Sequence, residues 1–274
     1  MDRSQVSAER KQLIVKSNDI IQKSRYKLST QQQKLILYMI SKIRPNDTEF
    51  KEYIFDLKDL CQIMNIDIKG SNYYNFRESI QKIADTSFWI NADGNKDKLY
   101  RWLDDVEIEP NATKIKIKFD EDLKPFLLQL KERFTEYHLE SIICFDSKYS
   151  FRLYELFKSY SFQQKFIILS LDELKKQLMI DDKYDRFSMF RVNVLDKAIE
   201  EINKYTELRI EYKTIRTNRA ITHLQFDIFE SLSNSFMNKD NIKNKLNKEY
   251  KEYKQAEFDI NEYIENQKKR KENE

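Results

Sequence analysis

Apolar residues recur along this chain first at helical spacing, then at strand spacing. Leu35, Ile36, Met39, Ile40 and Ile43 fall on one face of a helix. Ser29-Thr-Gln-Gln32 just ahead reads as a capping box, with Leu28 as the preceding hydrophobic residue, and Pro45-Asn-Asp47 closes the helix. Tyr53-Ile-Phe55 predicts a short strand, and Asp56 to Asp59 can cap a second helix carrying Leu60 and Met64. A polar turn around Gly70 follows, then a third helix with Phe76, Ile80 and Ile83 that ends near Thr86-Ser87. Residues 99–108 and 114–119 predict two strands joined by the turn Pro110-Asn-Ala-Thr113. Lys114-Ile-Lys-Ile-Lys-Phe119 alternates strictly, as a half-buried strand does. The order is helix, strand, helix, helix, hairpin.

That order returns. Tyr149 to Tyr160 predicts a helix and Phe166-Ile-Ile-Leu169 a strand, and Ser170-Leu-Asp-Glu173 is a second capping box leading into Leu174 and Leu178. Phe190 to Lys204 predicts a longer helix whose broad apolar side holds Val194, Leu195, Ala198, Ile199 and Ile202. Leu208 to Ile215 and Ile221 to Phe229 are strands around Arg216-Thr-Asn-Arg219. A shift of 114 pairs Leu57 with Leu171, Leu60 with Leu174, Met64 with Leu178, Ile66-Asp67 with Ile180-Asp181, and Phe76-Arg77 with Phe190-Arg191. A shift of 116 pairs Leu37-Tyr38 with Leu153-Tyr154, and Lys42 with Lys158. A period of this length is too long for a solenoid and fits two copies of one domain.

The predicted fold class is α+β, mainly helical: two tandem winged-helix domains related by an internal repeat, plus a charged C-terminal tail. The expected partition is an N-terminal arm over 1–27, a first winged helix over 28–121 and a connector over 122–146. A second winged helix over 147–230 and a tail over 231–274 complete it. The connector includes an expected linking helix from Asp122 to Tyr137, on Leu123, Phe126, Leu127 and Leu130. The tail has no strand pattern and reads as a solvated helix or a disordered segment.

A winged helix suits duplex DNA. The second helix of its pair fits the major groove, and its hairpin lies against the backbone or minor groove. In the first copy the outward face of that helix carries Tyr74, Arg77 and Gln81. In the second copy the candidates are Lys183, Arg186, Ser188, Arg191, Asn193 and Lys197, with Lys213, Arg216 and Arg219 around the wing tip. Arg and Lys can bond guanine, Asn and Gln adenine, and clustered cations suit phosphates or a narrow minor groove. Each of these residues can equally be part of an ordinary solvated face.

Composition narrows the chemistry. Among 274 residues there are two glycines, Gly70 and Gly94, so neither a phosphate loop nor a dinucleotide-binding turn can be written. His138 and His223 stand far apart, Cys61 and Cys144 form no CxxC pair, and no metal motif results. With 49 Lys and Arg against 46 Asp and Glu, the net charge is +3, so any DNA affinity has to come from local cations. No apolar run is long enough to span a membrane, and MDRSQVSAERK lacks the apolar core of a signal peptide. The expectation is a cytoplasmic protein that is not an enzyme and needs no cofactor.

Ser147-Lys-Tyr-Ser-Phe-Arg-Leu-Tyr-Glu-Leu-Phe-Lys-Ser-Tyr160 resembles the signature helix of the iteron-binding plasmid replication initiators with tandem winged helices. Phe190 to Asn203 is similar to that family's recognition-helix segment. Val15-Lys-Ser-Asn-Asp19, followed by Lys27-Leu-Ser29, is similar to its opening. The resemblance covers about residues 13–230. It implies binding to double-stranded origin repeats as a monomer, opening of an adjacent AT-rich tract, and recruitment of a host replicative helicase or initiator. It also implies self-association to a dimer that represses its own promoter. The alternating strand 114–119 reads as an edge that could pair with a second copy. A sequence-specific transcriptional regulator with tandem winged helices is the alternative. A nicking initiator using Tyr154 or Tyr205 is the weaker rival, because closely spaced histidines are missing.

Overall fold

A computed structural model describes residues 1–66, 72–91, 96–108, 113–230, and 241, 242 and 244. It holds two winged helices in tandem, and both copies keep the predicted order. In the first, helix Thr30–Ile40 is capped by Ser29, whose hydroxyl accepts from Gln32 N while the Gln32 side chain bonds back to Ser29 N. Strand Tyr53–Asp56 leads into helix Leu57–Ile63, capped by Asp56, and helix Asn72–Ala84 follows. In the second, helix Lys148–Ser161, strand Phe166–Ser170 and helix Leu171–Gln177 follow one another. Here Ser170 supplies the cap to Glu173 N. A continuous helical run then extends from Phe187 to Tyr205, with a π-helical stretch over Arg191–Asp196. Hairpin strands Leu208–Thr217 and Ala220–Glu230 meet at Asn218, whose φ of 59° an asparagine tolerates.

The repeat extends to backbone and contacts. Asn65 and Met179, related by the shift of 114, both take left-handed φ, 57° and 55°, where the short helix of each copy ends. Phe76 and Phe190, and Ile80 and Val194, are fully buried equivalents. Tyr38 donates to Glu9 at 3.0 Å and Lys42 pairs with the same carboxylate. Tyr154 donates to Glu207 at 3.0 Å, and Lys158 pairs with that carboxylate at 2.7 Å. The Tyr and Lys are repeated, but the acids are not. Glu9 lies on an N-terminal helix, and Glu207 lies between the long helix and the hairpin.

Four expectations change. The segment 1–27, expected as an N-terminal arm, packs into the body. Helix Arg3–Arg10 ends in Arg10, which donates to the Ile63 and Gln62 carbonyls at 2.8 and 2.6 Å and so caps helix Leu57–Ile63. Strand Leu13–Ser17 pairs antiparallel with strand Phe134–His138. That second strand replaces most of the expected linking helix. The helical spacing holds only through the short turn Glu121–Leu123 and helix Lys124–Leu127, after which left-handed residues Gln129 and Arg133 (φ 51° and 52°) stop it. Residues 99–108 form two strands, Lys98–Arg101 and Leu103–Ile108, and an unpredicted strand Ser87–Ile90 pairs with the first of them. Finally, strand Lys114–Phe119 is not an edge. It is central, paired with Tyr53–Asp56 on one side and Leu103–Ile108 on the other, so it offers no free ladder to a second chain. The expected turns around Gly70 and Pro110 and nearly all of the tail lie outside the described residues; of the tail, Asn241 donates to Lys204 O and Ile242 is buried.

The copies are joined through a buried polar centre. Lys16 Nζ sits 2.7 Å from Glu155 Oε1, both almost fully buried, and the Tyr137 hydroxyl donates to the same oxygen. Arg152, on the same helix as Glu155, donates to Ser24 O at 2.9 Å and stacks over Tyr26. These contacts tie the strand pair 13–17 and 134–138 to helix Lys148–Ser161.

Candidate nucleic-acid interface

The long helix of the second copy buries Phe190, Val194, Leu195, Ala198, Ile199 and Ile202 against the core. Its other side is open: Ser188, Met189, Arg191, Val192, Asn193 and Lys197 are exposed, and Arg186 is the exposed residue at its N-terminal boundary. A π turn is wider than an α turn, so Arg191, Val192 and Asn193 all reach solvent before burial resumes at Val194.

The hairpin is held beside this helix by polar bonds. Asn203 accepts from Ile210 N at 2.7 Å and donates to Ile210 O at 3.0 Å. Tyr212 donates to Asp196 at 2.8 Å, and burial together with that bond pushes the Tyr212 hydroxyl up to about 12. Arg191 is drawn the same way, with Nε 3.5 Å from Asp196. Lys213 pairs with Asp227 at 3.1 Å. At the tip, Arg216 donates to the Arg219 carbonyl at 3.2 Å, which holds the turn, and a bulge between Ile215 and Arg216 twists it. Asn193 donates to the Met189 carbonyl at 2.9 Å.

Of the second-copy candidates, Lys183, Arg186, Lys197, Arg216 and Arg219 carry no ion pair among the described residues. Arg191 and Lys213 are neutralised, Ser188 is exposed, and Asn193 is tied to its own helix. The first-copy candidates are less open. Tyr74 packs against the core, Arg77 is half-buried with a partner of its own, and Gln81 is exposed. Lys82 beside it pairs with Glu78.

One cationic cluster was not anticipated. Gln33 donates to both Leu28 O and Lys148 O, which brings residue 27 beside the start of helix Lys148–Ser161. Tyr184 lies against Tyr149 and, after burial, helps to push its hydroxyl up to about 12, which brings Lys183 to the same place. Burial, then the charges of Lys27 and Lys183, hold the Lys148 ammonium below the usual lysine range. Lys27, Lys148 and Lys183 pair with no carboxylate among the described residues. Only their meeting in space reveals them, since they are more than 30 residues apart in the chain.

Elsewhere the structure leaves little chemistry. Tyr154 is fully buried, and burial together with Glu207 raises its hydroxyl well above the ordinary value, so it cannot act as an exposed nucleophile. Tyr205 is buried as well. Cys61 and Cys144 are buried free thiols. Among the described residues no His, Cys, Asp and Glu group could hold a metal ion, and no helix is long and apolar enough to cross a membrane.

Tandem winged helices, each a helix pair followed by a hairpin, define a structural class of their own. Family models place the chain within it. Residues 13–158 match the initiator replication protein WH1 domain, and residues 170–228 match the initiator Rep protein WH2 domain. The chain belongs to this family of replication initiator proteins. It is similar to a replication initiation protein of Escherichia coli, 27% identical over 206 residues, covering 72% of this chain and 64% of that protein. It is also similar to the PI protein of Escherichia coli, 32% identical over 139 residues, 44% of this chain and 46% of that one. The chain thus spans less than two thirds of the length of these two relatives. Its fold is similar to a Pi initiator protein solved in complex with iteron DNA, with a TM-score of 0.63 and 22% identity, covering 81% of this chain and 99% of the other.

Proposed function

We propose that this chain is a plasmid replication initiator that binds direct repeats at an origin, helps to open an adjacent AT-rich tract and recruits host replication proteins. The carrying observation is the set of cations Arg186, Lys197, Arg216 and Arg219, which make no ion pair among the described residues and border one helix and the hairpin braced against it. The helix enters the major groove, and the wing takes phosphates or the minor groove beside it. Asn193 and Arg186 read base edges. Lys183, with Lys27 and Lys148, grips the backbone where the two copies meet. Tyr74, Arg77 and Gln81 give the first copy a lesser share of contact. The DNA-binding units are taken as 28–121 and 147–230, with 122–146 between them.

The family relatives support the reading, and the burial of Tyr154 and Tyr205 speaks against the nicking rival that would use them. ATP-driven work then falls to a recruited helicase or initiator. The chain works in the cytoplasm, and self-association, if it represses the promoter, uses a surface other than strand Lys114–Phe119.

The test is footprinting of the full chain on the DNA that flanks its gene, together with maintenance of a plasmid carrying that DNA. Protection of direct repeats of roughly one to two helical turns, plus loss of the plasmid when the chain is deleted, supports an initiator. Protection confined to a promoter, with the plasmid retained, would replace it with a regulator.

A further inference from the structure

The outward face of the second-copy helix is not wholly polar. Met189 and Val192 are 52% and 56% exposed, while the other aliphatic residues from 190 to 202 are buried. The two lie about one turn apart and share their side of the helix with Arg186 and Asn193. Asn193 donates to Met189 O, which fixes its amide on the same face and leaves one N–H and the Oδ1 for a base edge. Arg186 and Lys197, both without an ion pair among the described residues, border the pair from the two ends of the face. An exposed apolar pair framed by cations matches a groove floor with phosphate walls.

Within the major groove the apolar group on a base edge is the thymine 5-methyl, and an asparagine amide matches adenine. We infer that Met189 and Val192 read thymine methyl groups, so that the second copy recognises a step containing A·T pairs, with Asn193 on an adenine. The inference rests on the proposed DNA reading of this helix and adds the kind of base it selects.

The experiment begins with duplexes selected from a random pool by the full-length chain. Each thymine of the selected site is then replaced in turn by deoxyuridine, which removes the methyl and keeps the pairing. Affinity is measured at constant salt for the wild type and for a Met189→Ala/Val192→Ala double variant. Burial of one methyl corresponds to about a fourfold change in Kd. At one or two thymines the wild type should lose about fourfold on replacement, and the double variant should bind thymine and deoxyuridine equally there. Both residues are exposed, so an unchanged melting temperature of the variant is expected. Sequence-selective binding that is indifferent to deoxyuridine at every position, or an equal loss in the double variant, would overturn the inference and leave the DNA reading standing. A double variant that alters self-association but not DNA affinity would assign the pair to a protein contact and also overturn it. Failure of the wild type to select any sequence would overturn the inference together with the proposed function.

Discussion

The two winged helices share a layout and differ in how their cations are used. In the first, Lys116 lies within 4 Å of Glu52, Asp105 and Glu107, Lys118 pairs with Glu121, Lys98 with Asp122 and Lys82 with Glu78. Its hairpin face is a network of ion pairs, and bonds from Glu107 and Glu52 raise the Lys116 ammonium. In the second, Arg186, Lys197, Arg216 and Arg219 make no ion pair among the described residues. A phosphate must displace an acid before it can use a paired lysine, but binds a bare one directly. Near-equal totals of charge therefore conceal an uneven distribution, and it is this distribution that gives the second copy the larger share in the proposed DNA contact. The same contrast explains why a net charge of +3 is uninformative.

The largest effect should come from where the copies join. Glu155→Leu leaves Lys16 buried without a partner and should destabilise the protein by about 3–5 kcal/mol. In thermal unfolding, a single transition moving to lower temperature would show that the copies melt as one unit. A shift in only one of two transitions would separate them. On the DNA side, Arg186→Ala should weaken binding to a selected duplex by about 1–3 kcal/mol with loss of sequence preference. Gln81→Ala in the first copy should cost less, and equal losses would abolish the asymmetry between copies. Arg216→Ala or Arg219→Ala should lower the slope of log K against log salt by about one unit without changing sequence preference. Lys116→Ala, whose charge is already neutralised, should leave that slope unchanged. The triple change Lys27→Ala/Lys148→Ala/Lys183→Ala should lower it by about two to three units if all three meet phosphates. Smallest of all, Tyr154→Phe and Tyr38→Phe should each cost on the order of 1 kcal/mol in stability, read by urea unfolding. A larger loss for Tyr154→Phe is expected, because Tyr154 is the more deeply buried of the two.

Local signals carried the fold a long way. The Ser29, Asp56 and Ser170 caps, the apolar faces of the helices and the turn before Ala220 depend on neighbours within a few residues, and each stands where its pattern puts it. The repeat was legible for the same reason: equal local patterns give equal elements, down to the left-handed Asn65 and Met179. The errors fell where the partner is remote. Phe134-Thr-Glu-Tyr-His138 is a strand because Leu13–Ser17 lies beside it, and Lys114–Phe119 is central because Tyr53–Asp56 covers its second edge. Alternation along one strand says which face is buried but not how many edges are paired.

The candidate site divides in the same way. Residue types on the long helix and wing named Arg186, Lys197, Arg216 and Arg219 from the chain alone, because helical period and turn position are local. Which cations are bare was decided by the tertiary structure. Arg191 is drawn to Asp196, and Lys213 to Asp227 across the hairpin, while Lys27, Lys148 and Lys183 converge from three distant stretches. Sequence by itself determined two winged helices and a list of possible contacts. Tertiary structure chose among them, because charge pairing, burial and the meeting of distant residues depend on distances in space, which spacing along the chain does not record.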